Sequence, residues 1–110
     1  MKKVISTKHA PAAIGPYSQA IEAKGMIFIS GQTPIDPLTG ELVTGGVKEQ
    51  AVQCFKNIRA ILDEAGLTTE NIVKTTVFLG DMAYFAEMNE VYASQFDGDF
   101  PARSAIAAKG

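Results

Sequence analysis

The strongest hydrophobic pattern in the chain predicts an amphipathic helix near its middle. Apolar residues recur there at steps of three and four positions, which places them on one face of a helix. These residues are Val47, Ala51, Phe55, Ile58, Leu62 and Ala65. Gly66 follows at the position where a left-handed residue commonly ends a helix. We therefore expect a long first helix that buries one face and stops before Gly66.

A second amphipathic pattern follows Asp81, whose carboxylate is well suited to the N-cap of a helix. Large apolar residues then fall on one helical face, and these are Phe85, Met88, Tyr92 and Phe96. We expect a second, shorter helix at this point of the chain.

Short apolar runs elsewhere predict strands. Residues 18–23 and 26–30 are separated by Lys24-Gly25, a two-residue turn typical of a β-hairpin. Residues 26–29 are apolar at every position, which predicts a central strand covered on both faces. Further strands are expected at residues 3–6, 72–79 and 102–107, with an exposed turn over residues 35–42.

The order of these elements predicts a single α+β domain over residues 1–110. The early hairpin argues against a purely parallel sheet, so we expect an antiparallel or mixed sheet with both helices on one face. The other face of the sheet is then left bare, because the sequence contains no third layer to cover it. We expect that cover to come from other copies of the chain.

Composition narrows the possible partners. The net charge of −2 and the scattered basic residues argue against nucleic acid, which proteins usually bind through a basic field. No long apolar run follows the N-terminal lysines, so neither a signal peptide nor a membrane-spanning helix is expected. A single cysteine, Cys54, excludes an internal disulfide, and a single histidine, His9, removes the commonest metal ligand. We expect a cytoplasmic protein without metal or cofactor.

The motifs of familiar catalytic sites are missing from the sequence. It has no G-x-S-x-G motif, no phosphate-binding loop and no Cys/His cluster at zinc spacing. Cys54 falls in the first helix beside its apolar face, so we expect an inert, buried thiol. His9 is expected at the surface. Ser30 has no base beside it that would make it a nucleophile, and a hydrogen bond at a strand end is its more modest role.

Polar residues at the ends of the predicted elements are the remaining candidates for a site. Arg103 opens the last strand, and its guanidinium offers a planar fork of donors that suits a carboxylate. It stays protonated and therefore cannot be a general base. Two interpretations of Arg103 remain open from the residues alone. It either binds a ligand or pairs with a carboxylate of its own or a neighbouring subunit.

Four segments, in order and over nearly the whole chain, resemble one known family. They are AAIGPYSQA at residues 12–20, SGQTP at residues 30–34, VKTTVFL at residues 73–79 with Asp81, Met88-Asn89 and Tyr92 after it, and PARS at residues 101–104. Each fragment is a weak signal, but their order and spacing are specific. The chain is similar to the RidA/YjgF family of imine deaminases.

This resemblance implies a chorismate-mutase-like fold and a homotrimer. The sheets of the trimer form a central barrel, the helices lie outside, and a cleft lies at each subunit interface. The implied reaction is hydrolysis of 2-imino acids and their enamine tautomers, such as 2-aminoacrylate, to 2-oxo acids and ammonia. It would protect enzymes that the enamine inactivates.

The resemblance also implies roles for individual residues. Arg103 matches the family's carboxylate-binding arginine, and Gly31 matches a backbone position that lines the pocket. Tyr17, Ser30 and Asn89 match residues near the cleft.

Two departures from the family affect the expected mechanism. Ala105 stands where many relatives have a cysteine, which is harmless only if the backbone of that position contacts the substrate. Relatives also continue into a final strand that carries a glutamate thought to orient the attacking water, and no residue of this sequence matches it. We expect the 110-residue form to be less stable and less active than a form extended by that strand.

Two other functions are weighed against the deaminase. The first is a non-catalytic module of the same fold that binds or senses 2-oxo acids, and the missing glutamate favours it. The second is RNA cleavage or translation inhibition, activities attributed to relatives. The acidic balance of the sequence argues against this second alternative.

Overall fold

The computed structural model describes residues 1–108, and its longest element is the first helix, α1, at Val47–Glu64. Gly66 follows with φ of 77°, and its N–H donates to the carbonyl of Asp63 while the N–H of Leu67 donates to that of Leu62. This pair of hydrogen bonds is the Schellman ending, which requires a left-handed residue. The predicted helix and the role of Gly66 are confirmed.

The second helix, α2, runs over Phe85–Ser94 and is entered through a single 3-10 turn at Met82–Tyr84. The carboxylate of Asp81 accepts a hydrogen bond from the N–H of Ala83 at 2.8 Å, so Asp81 caps this combined segment as predicted. Phe96 lies beyond the last helical turn but packs with the apolar face of α2. No helix within residues 1–108 is long and apolar enough to cross a membrane.

Three antiparallel strands form the first sheet, in the order β1 (Lys3–Ile5), β2 (Ala20–Ala23) and β3 (Met26–Ile29). The turn between β2 and β3 has positive φ at both Lys24 (50°) and Gly25 (77°). Two successive left-handed residues are the signature of the tight hairpin turn that matches strand twist. The predicted hairpin is confirmed at this position.

Two further strand pairs complete the fold. β4 (Ile35–Asp36) and β5 (Glu41–Leu42) form a small antiparallel hairpin within the predicted exposed turn. β6 (Lys74–Leu79) and β7 (Ala102–Ala107) pair in parallel, with α2 in the crossover between them. Within residues 1–108 the antiparallel and parallel pairings therefore lie in separate sheets, and not in the one antiparallel or mixed sheet that the order of elements predicts. The α+β class itself is confirmed.

Both helices lie on one side of the strands. One core cluster joins α1 to β1 and β2 and contains Ile5, Ala10, Ala20 and Ile61. The other joins α1, α2 and β6 and contains Phe55, Leu79, Met88, Val91, Tyr92 and Phe96. The alternate residues of each strand point away from these clusters, as the two-residue period of a strand requires.

The opposite face of the strands is bare and apolar. Val4 and Phe28, which flank Ile21 on the neighbouring strand, are 57% and 58% exposed on this face. Phe78 and its register partner Ile106 are 65% and 49% exposed. The predicted uncovered face is therefore present. Exposed apolar area of this kind usually marks a surface that associates with another molecule.

The prediction that residues 26–29 form a central, doubly covered strand is wrong within residues 1–108. Within residues 1–108, β3 pairs only with β2 and stands at an edge of its sheet. Its residues are apolar on both faces, but only the face towards α1 is covered, and Met26 is 50% exposed on the other.

A cleft of about 660 Å³ separates the first sheet from the parallel pair. Residues of β3 line one side of it and residues of β6 line the other, while Ile58 and Leu62 of α1 form its apolar floor. Neither β3 nor β6 has a hydrogen-bonded strand partner on the side of the cleft within residues 1–108. The edges of two strands thus face each other across an apolar gap.

Candidate functional site

Arg103 lies on β7 directly opposite Thr75 of β6, and its side chain reaches back to α2. Its Nη1 donates a hydrogen bond of 2.7 Å to Oδ1 of Asn89. A short, charge-assisted bond of this kind orients both side chains. Arg103 and Asn89, two of the predicted site residues, are therefore in direct contact although they are fourteen positions apart in the chain.

Two aromatic rings of the α2 segment surround the guanidinium of Arg103. Its Cζ lies 4.7 Å from the ring centroid of Tyr92 and 5.3 Å from that of Phe85. Both distances are within the range in which a cation is attracted to a ring face, about 6 Å. The hydroxyl of Tyr92 is in turn 2.7 Å from Oγ1 of Thr75. The guanidinium of Arg103 is thus fixed in position by uncharged groups, which leave its positive charge unneutralised.

No carboxylate pairs with Arg103 in the described part of the chain. The ion pair found within residues 1–108 joins Lys48 to Glu90, and this contact raises the pKa of Lys48. The interpretation that Arg103 pairs with a carboxylate of its own subunit is therefore wrong for residues 1–108. Its half-buried guanidinium keeps donors that a ligand carboxylate can use.

Ala105 lies two residues beyond Arg103 on the same face of β7, opposite Val77. Its side chain is half-buried. A residue two positions along a strand flanks the same side of the sheet. The methyl group of Ala105 consequently borders the space beside Arg103 and brings no thiol to it.

Ser30 and Gly31 follow the end of β3. The Ser30 N–H donates to the carbonyl of Gln19 at 3.0 Å, and its hydroxyl donates to the carbonyl of Ser18 at 2.6 Å. The hydroxyl of Ser30 therefore makes the strand-end hydrogen bond considered from the sequence, and its role in substrate binding stays a prediction. Gly31 is exposed, and a Cβ built on it would meet no atom within 4 Å. No atom of residues 1–108 therefore requires glycine at this position.

Tyr17 lies in the loop before β2 and is 53% exposed. Gln19, which is only 5% exposed, holds this loop in place. Its amide nitrogen donates to the carbonyls of Thr7, Ala10 and Pro11, and its Oε1 accepts from the N–H of Thr7 at 2.7 Å. The backbone around Tyr17 is consequently fixed, while its side chain faces outward.

Asn57 fixes the backbone of the segment after Gly31 in a similar way. This amide on α1 is fully buried and donates to the carbonyls of Thr33 at 3.1 Å and Ile35 at 3.0 Å. Neither Asn57 nor Gln19 is recognised as a site-supporting residue from the sequence. The available signal at Asn57 is a polar residue beside the apolar stripe of a helix, next to Ile58.

The predicted site residues therefore fall into two groups. The arginine group consists of Arg103 and Asn89, with Phe85, Tyr92 and Thr75 around them and Ala105 beside them. The glycine group consists of Tyr17, Ser30 and Gly31. Within residues 1–108 no hydrogen bond joins one group to the other. Ser30 and Gly31 line the same cleft as Thr75, but Tyr17, Asn89 and Arg103 do not line it. Residues 1–108 of one copy therefore do not assemble the six predicted residues into one closed pocket.

The remaining nucleophile and metal candidates lie apart from both groups. The thiol of Cys54 donates to the carbonyl of Gln32 at 3.4 Å, and burial raises the pKa of Cys54 to about 11. It is therefore a protonated, unreactive thiol at neutral pH. His9 is exposed. Within the described residues, no group of three or more His, Cys, Asp or Glu side chains is placed to hold a metal ion.

Comparisons with known proteins agree on one group of relatives. The model of the family described as Endoribonuclease L-PSP matches residues 7–110. The 2-iminobutanoate/2-iminopropanoate deaminase of Mus musculus is 54% identical over 105 residues, which cover 96% of this chain and 78% of that protein.

Solved structures extend the agreement to the fold. YyfA from Yersinia pestis, of the conserved Rid protein family, superposes with a TM-score of 0.96 at 49% identity, covering 98% of this chain and 86% of that one. Escherichia coli TdcF with bound serine superposes with a TM-score of 0.91 at 43% identity, covering 96% and 85%.

Proposed function

The chain belongs to the RidA/YjgF family, and from this premise we propose that it is an imine deaminase. Its substrates are 2-imino acids and their enamine tautomers, such as 2-aminoacrylate, and its products are a 2-oxo acid and ammonia. The relative from Mus musculus carries the name of this activity at 54% identity.

The observation that carries the proposal is the state of Arg103. Its guanidinium is oriented by Asn89 and two aromatic rings, yet no carboxylate of residues 1–108 neutralises it. A fixed, unpaired guanidinium is preorganised for bidentate binding of a carboxylate. The carboxylate is the anionic group that all 2-imino acids share.

The chemistry of an imine explains how so few groups suffice. Water adds to the electrophilic C=N carbon while the nitrogen takes up a proton, and the resulting carbinolamine expels ammonia to leave the 2-oxo acid. The carboxylate next to this carbon opposes attack, because it places negative charge beside the incoming oxygen. Arg103 offsets that charge and holds the substrate in one orientation for water. No covalent nucleophile is needed, in line with the unreactive thiol of Cys54.

The glycine group completes the pocket in this proposal, and it comes from a neighbouring copy. Within residues 1–108 no hydrogen bond joins Arg103 to the glycine group, although Ser30, Gly31 and Thr75 line the same open cleft, and the sheet face with Phe28 and Phe78 is uncovered. Association of copies through this face into a homotrimer, with the chorismate-mutase-like arrangement of the family, would bring the two groups to a common cleft. Gly31 then offers its backbone, and the space above it, to the substrate.

A non-catalytic module that binds 2-oxo acids is the main alternative. It keeps the same carboxylate-binding Arg103 and differs only in turnover. The serine bound to TdcF is an amino acid held by a relative, and it supports a small carboxylate as ligand equally under both functions.

RNA cleavage is a third candidate because the matched family is described as an endoribonuclease. The net charge of −2 offers no basic field for phosphates. Salt-dependent binding of RNA to the pure protein would favour this activity, and its absence would remove it.

Release of ammonia and 2-oxo acid from freshly generated 2-aminoacrylate, above background hydrolysis, tests the proposal. Arg103→Ala should lower kcat/KM by about thirtyfold to several thousandfold, since losing one half of a buried charge pair costs about 2–5 kcal/mol. Arg59→Ala, an exposed arginine on α1, is the matched control and should retain full activity. A folded wild type that binds pyruvate without accelerating hydrolysis would instead indicate the binding module.

A further inference from the structure

The plane of the Arg103 guanidinium is set by its neighbours in the arginine group. Bidentate binding of a carboxylate needs that plane to be fixed, because both N–H donors must point at the two oxygens together. Asn89 fixes one edge of the group through Nη1. A single hydrogen bond still allows the guanidinium to swing about that contact, so a second restraint is required.

The ring of Tyr92 supplies this restraint. Its centroid is 4.7 Å from Cζ of Arg103, closer than the 5.3 Å of Phe85. Attraction to a ring face limits the tilt of the guanidinium without using any of its N–H donors. The donors not engaged by Asn89 therefore stay available for a ligand.

Tyr92 is itself held rigidly. It is 5% exposed, packs edge-to-face on Phe55 with ring centroids 5.6 Å apart, and contacts Phe96 at 5.1 Å. Its hydroxyl is 2.7 Å from Oγ1 of Thr75. Buried tyrosine hydroxyls need a partner, and this partner ties α2 to β6.

Thr75 is also the register partner of Arg103 across β6 and β7. Three contacts therefore connect these residues in a ring. The strand pairing joins Arg103 to Thr75, a hydrogen bond joins Thr75 to Tyr92, and the ring of Tyr92 contacts the guanidinium of Arg103. Each member fixes the next relative to the same pair of strands.

We propose that Tyr92 and Thr75 are positioning residues that set the plane of the Arg103 guanidinium for the substrate carboxylate. This inference rests on the proposed carboxylate-binding role of Arg103. Tyr92 does not touch the reacting atoms and acts through Arg103 alone. A residue that merely fills the core would affect stability and would not affect the recognition of a carboxylate in particular.

Two variants remove the hydroxyl contact and keep the packing, namely Tyr92→Phe and Thr75→Val. The matched control is Thr44→Val, because Thr44 is exposed in the segment between β5 and α1 and belongs to neither group. Binding is measured with pyruvate and with its uncharged amide, pyruvamide. Loss of one hydrogen bond predicts a Kd for pyruvate raised by about threefold to tenfold in each variant, with pyruvamide and Thr44→Val unchanged.

A second readout observes Arg103 without any ligand. In protein labelled with nitrogen-15 arginine, restricted rotation about the Cζ–Nε bond should give separate Nη signals for Arg103 in the wild type and in Thr44→Val. Tyr92→Phe and Thr75→Val should average them. The double variant should bind pyruvate no more weakly than either single variant, because both changes break the same contact.

Unchanged Arg103 signals together with unchanged pyruvate affinity in both variants would overturn the inference. An equal weakening of pyruvate and pyruvamide, with a lowered Tm, would also overturn it, since that is the behaviour of a core residue. Neither readout needs turnover. A wild type that fails to release ammonia therefore contradicts the deaminase while these measurements still decide the roles of Tyr92 and Thr75.

Discussion

The arginine group and the glycine group are held in place by opposite means. Around Arg103 the side chains themselves contact one another, through the bond to Asn89 and the rings of Tyr92 and Phe85. Around Gly31 it is the backbone that is fixed, by buried amides that lie outside the group. The side chain of Tyr17 and the space above Gly31 remain open.

This difference shows how a small chain can prepare a site without closing it. The contacts of the arginine group are made within one copy, which suits its proposed role of holding a charge in a fixed orientation. The glycine group is a rigid but open surface, which suits its proposed role of receiving a ligand beside a neighbouring copy. A substitution should therefore act on stability or on binding according to whether it falls on a buried support or on the open surface.

The largest expected effect is a loss of stability when one of the two buried amides, Gln19 or Asn57, is removed. Asn57→Ala leaves the carbonyls of Thr33 and Ile35 without their donor, and we expect a loss of about 2–4 kcal/mol in the free energy of unfolding. Denaturant titration measures it, with Lys56→Ala on the exposed face of α1 as control. Equal stability of the two variants would show that the segment after Gly31 does not depend on Asn57.

A smaller and more selective effect is expected from the open surface. Gly31→Ala adds a methyl group that meets no atom of its own chain, so stability should be unchanged. If the substrate lies over Gly31, the methyl group should lower kcat/KM by about tenfold to a hundredfold. Gly80→Ala is the control, since its Cβ is equally free of contacts. Full activity of Gly31→Ala would remove Gly31 from the site.

The smallest effect should come from Cys54, which lies in neither group. Its pKa is raised by burial from 9.0 to about 11, so the thiolate forms first in the unfolded state. Stability should accordingly fall between about pH 9 and pH 11 in the wild type and less in Cys54→Ala. Thermal unfolding across this range measures the difference. A pH profile of kcat/KM that changes in Cys54→Ala would contradict the inert role of the thiol.

The sequence predicts the local elements well, for physical reasons. Val47–Glu64 has a clear helical period and Gly66 ends it, and both signals are local. Arg103 and Asn89 are identified by a resemblance that covers most of the chain. The sequence does not reveal that β3 lies at the edge of its sheet. An apolar run shows that both faces of a strand avoid water, but it does not show which strands pair with it or which molecule covers each face. The roles of Tyr92, Gln19 and Asn57 depend on contacts between residues distant in the chain, which one sequence does not reveal.

The claim at the centre of this account is that Arg103 of one copy and Gly31 of another form one site. The variants Arg103→Ala and Gly31→Trp are each expected to be inactive alone. Mixing them in equal amounts and allowing the subunits to exchange tests the claim directly. Random association should restore about a quarter of the wild-type sites, because half of the copies offer each intact group. Recovery near that level would confirm a shared site. Exchanged oligomers that stay inactive would contradict it and place both groups in the pocket of a single chain.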